Sequence, residues 1–273
     1  MILPDTGLQG KTALVTGGAS GIGLGIAEAL AAERVDLAIV SRNPDPGAIS
    51  HLESLGVSVA ALRADVSVEG EVCRTVAQAE RLLGPIDLLV ANAATARKEP
   101  VTKVTTDGWE RSLRTNLTGT MWVCRQIARK MVSRRAGSIL VIGSTAQYHR
   151  APGEAAYHAS KAGLAAYAET LAVELAPHGI RVNMLVPGSF VTRLNPVATG
   201  PVHDRLLAEI PLGRQGRPAE CGPAAVFLLS DRLASYVTGA QLVVSGGLHL
   251  RPHVRVDWSD VERMNIPETS SPD

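Results

Sequence analysis

Seven short apolar runs mark the first 250 residues of the chain, and longer segments with helical periodicity separate them. The runs are TALVT from Thr12, DLAIVS from Asp36, VSVAAL from Val57, IDLLVA from Ile86, SILVIGS from Ser138, RVNMLV from Arg181 and QLVVSG from Gln241. Such runs are typical of buried parallel strands. Their alternation with helical segments predicts an α/β fold with a doubly wound, seven-stranded parallel sheet and helices on both faces.

The predicted helices are the Ala- and Leu-rich segments at 22–33, 68–83, 109–132 and 155–176. No internal repeat or linker-like composition divides them, so we expect one domain over residues 1–250, including a substrate loop at about 189–216. From Leu248 onward the sequence becomes polar and proline-punctuated. Residues 251–273 are therefore predicted to be a C-terminal tail, loosely ordered at its last residues.

Composition narrows the class of protein. Aromatic residues are only 3% of a chain that is 45% hydrophobic, so the core must consist of Ala, Val, Leu and Ile. A formal net charge of +1 gives no electrostatic reason to expect nucleic acid or an anionic membrane as partner. Three cysteines without a C-x-x-C pair argue against a disulfide framework and against a metal site. Without a signal peptide or membrane-spanning run, we expect a soluble, cytoplasmic protein.

A glycine-rich turn, TGGASGIG, follows the first apolar run and opens a helix. Gly17, Gly21 and Gly23 would let the backbone approach a pyrophosphate, and the helix N-terminus would stabilise its charge. The spacing G-x-x-x-G-x-G differs from the commoner dinucleotide fingerprint G-x-G-x-x-G. Tight packing is the alternative explanation, but the position of the turn favours a nucleotide.

The second run ends in Ser41 and Arg42, where many dinucleotide-binding proteins have a carboxylate. An arginine here can neutralise the 2′-phosphate of NADP, whereas a carboxylate would bind the free ribose of NAD. Arg42 could instead be a solvated surface residue, and the GGAS stretch lacks a basic residue that would support NADP. The sequence favours NADP, with NAD as the alternative.

Tyr157 and Lys161 lie four positions apart in the alanine-rich segment AAYHASKAG. On a helix they share one face, and a nearby cation lowers a phenol pKa, so the pair is a candidate tuned acid. An ordinary surface pair has the same spacing.

Taken in order, these motifs and three others resemble the short-chain dehydrogenase/reductase superfamily, including its 3-oxoacyl-carrier-protein reductases, from Gly10 to about Gly247. The other three are ANAA at 91–94, the pair Asn116 in RTNLTG and Ser144 in VIGSTA, and PGSFVT at 187–192. Two departures are Ala94, where glycine is usual, and Ser245, where aspartate is common.

The resemblance implies a catalytic set for hydride transfer. Tyr157 would exchange a proton with the substrate oxygen, and Lys161 would lower the tyrosine pKa and bind the nicotinamide ribose. Ser144 would hydrogen-bond the substrate oxygen, and Asn116 would hold a water for proton resupply. Without the resemblance, Asn116 would be a buried structural amide and Ser144 a helix cap.

The resemblance also implies which residues line the cofactor. Asp65 would contact the adenine, Asn92 would mainly hold neighbouring strands, and Thr192 would bond the carboxamide. The predicted cofactor residues are Gly17, Ser20, Gly21, Ile22, Gly23, Ser41, Arg42, Asp65, Val66, Asn92, Ala93, Tyr157, Lys161, Pro187, Gly188 and Thr192.

The substrate pocket is expected beside them. Its predicted lining is Ala94, Thr95, Ala96, Ser144, Thr145, Gln147, His149, Tyr157, Phe190 and the segment from Arg193 to about Gly216. His149 and Arg193 are candidate substrate contacts or solvated residues. The small lining suits a carbonyl on an aliphatic or alicyclic skeleton. Basic SRR at 133–135 could receive an acidic carrier protein or could be solvated surface.

The expected activity is an NADP(H)-dependent oxidoreductase that interconverts a ketone and a secondary alcohol, as a carbonyl reductase does. The alternatives are an NAD-dependent alcohol dehydrogenase and a non-catalytic NAD(P)-sensing module on the same fold. An epimerase or dehydratase fits poorly because the chain lacks a large C-terminal substrate domain. We expect a homotetramer assembled through the two long helices, with the tail reaching a neighbouring active-site rim.

Overall fold

All seven predicted runs form strands. They are β1 Thr12–Thr16, β2 Asp36–Ser41, β3 Val59–Arg63, β4 Leu88–Ala91, β5 Gly137–Ile142, β6 Ile180–Pro187 and β7 Gln241–Val244. In the computed structural model, which describes residues 5–192, 195 and 199–250, they form one parallel sheet in the order β3-β2-β1-β4-β5-β6-β7. The predicted seven-stranded, Rossmann-type sheet is confirmed.

Helices connect the strands and cover both faces of the sheet. They are α1 Gly21–Ala32, α2 Pro46–Ser54, α3 Glu69–Leu83, α4 Thr106–Leu113, α5 Thr120–Arg134, α6 Ala155–Leu175, α7 Pro201–Ala208 and α8 Gly222–Leu229. The segment predicted as one helix over 109–132 is interrupted: a π-helical turn at Arg114–Gly119 joins α4 to α5. The prediction missed α2, α7 and α8, whose eight or nine residues are too short for a clear period.

The sheet lies between two apolar layers, and successive residues of β1 point into different ones. Leu14 packs in the layer that contains α3, α5 and α6. Ala13 and Val15 pack in the other layer, against Ile26 and Leu30 of α1. This alternation follows from the pleat of a strand. Since both faces are covered, the central strands are apolar throughout, which is why each appears in the sequence as an unbroken run.

The carboxyl ends of the central strands meet at one edge of the sheet. Thr16 of β1 pairs with Ala91 of β4, and Ala91 in turn pairs with Val141 of β5. The chain leaves β1 toward one side of the sheet and β4 toward the other, and the crevice at such a switch point is where ligands bind in this architecture. Residues 193–194, 196–198 and the predicted tail at 251–273 lie outside the described residues.

Candidate active site

The turn after β1 is held tight by backbone contacts. Gly17 has φ +66° and donates its N–H to the Val40 carbonyl at 2.7 Å. A Cβ at Gly23 would lie 2.3 Å from the Gly17 carbonyl oxygen, so only glycine fits there. Ser20, the N-cap of α1, makes no side-chain cap bond, and no acid occupies the first turn. Because the first amides of this helix have no acidic partner, the turn fits an anionic pyrophosphate.

Asn92 ties the end of β4 to this turn. Its Nδ2 donates to the carbonyls of Thr16 at 3.0 Å and Gly17 at 3.2 Å. The Thr16 hydroxyl in turn accepts from the backbone N–H groups of Asn92 and Ala93 at 2.9 and 3.1 Å. This cross-link fixes the width of the crevice between β1 and β4. The backbone of the adjacent Ala93 runs along the same edge of the sheet.

The end of β2 presents a cation without a carboxylate beside it. Arg42 is exposed, and it makes no hydrogen bond or ion pair within the described part of the chain. The first acid that follows, Asp45, accepts from the Gly47 N–H at 2.9 Å as the N-cap of α2. Ser41 and Arg42 therefore fit a 2′-phosphate in charge and exposure.

After β3, Asp65 forms a local turn. Its Oδ1 accepts from the Ser67 N–H at 2.9 Å and from the Ser67 hydroxyl at 2.7 Å, and its own N–H donates to Glu71 at 2.8 Å. Val66 is buried beneath this turn, with its carbonyl against Gly119. The turn holds Asp65 at the carboxyl end of β3, and its contact with an adenine remains a prediction.

Three of the four predicted catalytic residues meet where β5 ends and α6 begins. The Ser144 hydroxyl hydrogen-bonds the Tyr157 phenol, and Lys161 lies one helical turn further along α6. The ammonium of Lys161 donates to the Ile142 carbonyl at 2.8 Å and lies 5.9 Å from the centre of the Tyr157 ring. Ser144 is the N-cap of a short 3-10 turn, and its hydroxyl accepts from the Ala146 N–H at 3.1 Å. A proton donor and a hydroxyl thus converge on one point.

The pKa values of this group correct one prediction. Burial raises the pKa of Tyr157; the hydrogen bond from Ser144 opposes the rise and the negative charge of Glu154 adds to it. Burial also lowers the pKa of Lys161 to about 8. We predicted that Lys161 would lower the phenol pKa, but in this structure its ammonium is directed at Ile142 and desolvation dominates. The phenol is consequently a protonated group at neutral pH.

Asn116, the fourth residue of the set, lies in the π-helical turn and is fully buried. Its Oδ1 accepts from the Thr95 N–H at 2.8 Å, and its Nδ2 donates to the Thr95 carbonyl at 2.9 Å and the Ser160 hydroxyl at 3.0 Å. The amide therefore holds the strand-end loop that carries Ala94 and Thr95. That Asn116 also holds a water remains a prediction.

The loop after β6 crosses the glycine-rich turn. Gly188 donates its N–H to the Val244 carbonyl at 2.9 Å, which continues the pairing beyond Pro187. Thr192 lies against Gly21: a Cβ built there would be 3.3 Å from the threonine methyl. The predicted nicotinamide-side residues therefore lie beside the predicted phosphate turn.

Two predicted substrate contacts have other roles in the structure. Phe190 is only 4% exposed and packs in the apolar layer of α1 and α8, against Gly216, where a Cβ would lie 2.5 Å from the ring. It is a core residue, and its prediction as pocket lining was wrong. Gln147 is also buried, and its Nε2 donates to Gln241 at 2.6 Å while its Oε1 accepts from the Ser144 N–H. It braces Ser144, and both polar atoms of its amide have partners within the protein. His149 is half-buried beside them.

The basic cluster at 133–135 lies at the amino edge of the sheet, whereas Tyr157 lies near the carboxyl edge. Arg134 donates to the Ile86 carbonyl at 2.6 Å, and Arg135 donates to the Pro177 carbonyl at 2.9 Å. Both carbonyls precede strands, at the amino edge of the sheet. Both arginines therefore cap backbone carbonyls at that edge, and the docking of a carrier protein on them remains a prediction.

The sequence interpretation missed three polar residues around the site. Ser160 bridges Asn116 and the Tyr157 carbonyl, which accepts its hydroxyl at 2.7 Å. Gln241 accepts from Gln147, and His158 is buried next to Tyr157. Their signal was present: a histidine and a serine on a nearly all-apolar helix segment must find buried partners.

The described residues bring together no group of three or more His, Cys, Asp or Glu side chains that could hold a metal ion. Cys73, Cys124 and Cys221 are free thiols. Within the part of the chain that the structure describes, no helix combines the length and the apolar character needed to cross a membrane.

Comparison with known proteins agrees with this geometry. The family model described as enoyl-(acyl carrier protein) reductase matches residues 17–249. The 3-oxoacyl-[acyl-carrier-protein] reductase of Chlamydia pneumoniae is 38% identical over 246 residues, which cover 89% of this chain and 99% of that protein. The bovine protein of the same name is 38% identical over 88% of this chain and 98% of its own length.

Solved structures show the same similarity. A putative short-chain alcohol dehydrogenase from Sinorhizobium meliloti is 33% identical with a TM-score of 0.85, covering 91% of this chain and all of the other. An NAD+-bound xylitol dehydrogenase is 31% identical with a TM-score of 0.83, covering 88% of this chain and all of the other.

Proposed function

Because the chain belongs to the short-chain dehydrogenase/reductase family and is an oxidoreductase of that family, we propose that it is an NADP(H)-dependent ketoreductase. It would interconvert a ketone and a secondary alcohol. The observation that carries this proposal is the hydrogen-bonded pair Ser144 and Tyr157 with Lys161 one turn away, at the carboxyl edge of the sheet. These side chains have no purpose together in a passive fold.

A bound nicotinamide would supply the hydride, and the glycine-rich turn with Asn92, Pro187, Gly188 and Thr192 would hold the cofactor. Reduction places negative charge on the substrate oxygen, so hydrogen-bond donors must point at that oxygen. The phenol of Tyr157 would donate the proton, and the hydroxyl of Ser144 would donate a hydrogen bond. Since burial raises the pKa of Tyr157, the phenol is protonated before the reaction, which suits reduction.

The substrate class follows from the relatives. The relatives named 3-oxoacyl-[acyl-carrier-protein] reductases match this chain over almost their whole length. We therefore propose a 3-oxoacyl thioester or a similar ketone as the first substrate class. Ala94, Thr95 and Ala96 would line the pocket beside Ser144 and leave room for an aliphatic chain.

For the cofactor we propose NADP(H), because Arg42 is exposed and unpaired within the described residues, and the first carboxylate after β2, that of Asp45, caps α2. NAD-dependent oxidation of a polyol or other alcohol is the second candidate. The similarity to the NAD+-bound xylitol dehydrogenase favours that alternative.

We further propose that the protein assembles as a homotetramer through α5 and α6. In support, Val173 of α6 is 76% exposed, an apolar side chain on the outer face of a long helix. Static light scattering of the purified protein would give four times the 28.7 kDa chain mass. A monomer would contradict the proposal.

The test of function compares wild type with Tyr157→Phe on a panel of 3-oxoacyl thioesters and simple ketones, with NADPH and with NADH. We expect turnover with NADPH that falls by about 100-fold or more in Tyr157→Phe, while NADPH binding, measured by fluorescence titration, is retained. Tyr236→Phe, at a fully exposed residue, is the matched control. NADPH binding without turnover on any substrate would instead indicate a nucleotide-sensing module, and turnover only with NAD+ and alcohols would favour the second candidate.

A further inference from the structure

His158 is a buried histidine that the proposed chemistry does not use. It follows Tyr157 in the sequence and is 7% exposed, and the two rings pack edge to face with 6.4 Å between their centres. Both ring nitrogens have backbone partners: Nδ1 lies 2.7 Å from the Ala146 carbonyl oxygen, and Nε2 lies 3.0 Å from the Ala151 nitrogen.

These partners fix the protonation state of the ring. A carbonyl oxygen can only accept, so Nδ1 carries a proton and donates it to Ala146. A backbone N–H can only donate, so Nε2 accepts from Ala151 and carries no proton. The imidazole in this structure is therefore neutral, with the hydrogen on Nδ1, because no other state makes both bonds.

The two bonds fasten the segment that carries Ser144. Ala146 donates its N–H to the Ser144 hydroxyl, while its carbonyl accepts from His158 and also from Arg150 at 3.3 Å. Ala151 marks the far end of the same loop. One ring thus anchors two points of the segment to α6, the helix from which Tyr157 projects.

We propose that His158 is a positioning residue for the Ser144–Tyr157 pair: its neutral imidazole holds the Ser144 turn against α6 and so sets the hydrogen bond between the two hydroxyls. This inference rests on the proposed function, since positioning matters for turnover only if that pair is catalytic. The hydrogen bonds of His158 go to backbone and not to the two reacting hydroxyls, and its contact with Tyr157 is between the rings.

The anchor at Nε2 needs an unprotonated nitrogen, because the Ala151 N–H can only donate. The charged or titratable groups around the ring are Glu154, with its carboxylate 3.7 Å from Nε2, Arg150 and Tyr157. Glu154 also pairs with Lys98 at 3.2 Å. The ring borders a cavity of about 600 Å³ between α6 and residues 150–153.

Two amide substitutions test the two hydrogen bonds of His158 one at a time. Asparagine places its amide near the position of Nδ1 and can keep the bond to Ala146, whereas glutamine reaches the position of Nε2 and can keep the bond to Ala151. We expect kcat to fall by about 10-fold to 100-fold in His158→Leu, which keeps neither bond, with the KM for NADPH within about two-fold of wild type. His158→Asn and His158→Gln should each recover part of the loss.

A control substitution separates positioning from a general effect of losing a histidine. His51→Gln, at an exposed histidine paired with Glu28, should keep the wild-type kcat and the wild-type KM for NADPH. A His158→Leu variant with wild-type kcat would overturn the inference.

An NMR measurement that needs no turnover distinguishes a failure of the proposed function from a failure of the His158 inference. The NMR resonance of the Tyr157 ζ-carbon reports the hydrogen bond from Ser144, and it should shift in all three His158 variants at constant pH. If wild type shows no turnover but the resonance shifts, the proposed function fails while the positioning contact stands. If wild type turns over and the resonance and kcat are unchanged in the variants, the inference fails while the function stands.

Discussion

The side-chain amide of Asn116 pairs with the backbone of Thr95 as a neighbouring strand would, accepting from its N–H at 2.8 Å and donating to its carbonyl at 2.9 Å. The loop after β4 has no strand beside it at this point, so the amide supplies the missing partner. A buried helix thereby controls the position of the loop that lines the proposed substrate pocket.

Asn116→Asp tests this pairing with almost no change of shape. The new carboxylate keeps an acceptor for the Thr95 N–H, but it places an oxygen against the Thr95 carbonyl and the Ser160 hydroxyl. We expect a loss of about 2–4 kcal/mol in the free energy of unfolding, measured with urea, and a fall in kcat. Asn43→Asp, at an exposed position, should leave both unchanged. An Asn116→Asp protein as stable as wild type would show that the pairing contributes little.

Gly23→Ala should disrupt the cofactor turn. The new Cβ would lie 2.3 Å from the Gly17 carbonyl oxygen, and this contact is with backbone that cannot rotate away. We expect about 1–3 kcal/mol of destabilisation and at least a ten-fold weaker binding of NADPH in a fluorescence titration.

The matched control for that substitution is Gly70→Ala, in the first turn of α3. There the nearest atom is the flexible end of Arg74 at 3.4 Å. Alanine should be neutral or stabilising by up to about 1 kcal/mol, with unchanged cofactor binding. Equal effects of the two substitutions would argue against a special turn at Gly23.

Arg42→Ala should remove the preference for NADPH. If the guanidinium neutralises the 2′-phosphate, the Kd for NADPH should rise by about 10-fold to 100-fold, while the Kd for NADH should stay within about two-fold. Arg81→Ala, at an exposed position near the end of α3, controls for a general loss of positive charge. An unchanged ratio of the two constants would mean that Arg42 is a surface residue.

Lys161 should leave a signature in the pH dependence of stability. Its pKa is lowered by burial from 10.5 to about 8, so between these values the unfolded chain binds a proton that the folded chain has lost. Stability rises with pH wherever the unfolded state binds more protons. The free energy of unfolding of wild type minus that of Lys161→Met should therefore be flat below about pH 8 and increase from there toward pH 10.5.

The corresponding comparison with Lys103→Met should show no such increase, because Lys103 is exposed. Urea titrations at closely spaced pH values would give the three curves. A difference curve for Lys161→Met that stays flat to pH 10.5 would show that the ammonium is not desolvated in solution.

The sheet could be predicted from the sequence because its central strands are buried on both faces, which leaves an unbroken apolar run in each of them. The position of the site could also be predicted, because the residues that follow the parallel strands meet at the carboxyl edge of the sheet. Phe190 was misassigned because an aromatic residue in a loop suggests a pocket, whereas its burial depends on Gly216, which is distant in sequence and makes room for the ring. Such long-range packing has no local signature.

One other error has a different cause. The Tyr157 pKa depends on how much water each side chain loses, and the spacing of a tyrosine and a lysine does not contain that information. The location of Arg134 and Arg135, in contrast, could have been deduced, since residues that directly precede β5 must lie at the amino edge of the sheet.

The π-helical turn at Arg114–Gly119 has a consequence for insertions and deletions. Its hydrogen bonds span one residue more than those of an α-helix, so the long helix contains a surplus residue at the level of Asn116. Deleting one codon here would allow α-helical bonds to run unbroken from α4 into α5. The shortened helix would lose the bulge that directs an amide at Thr95, so a deletion with little cost in helix content would still remove the support of the pocket loop.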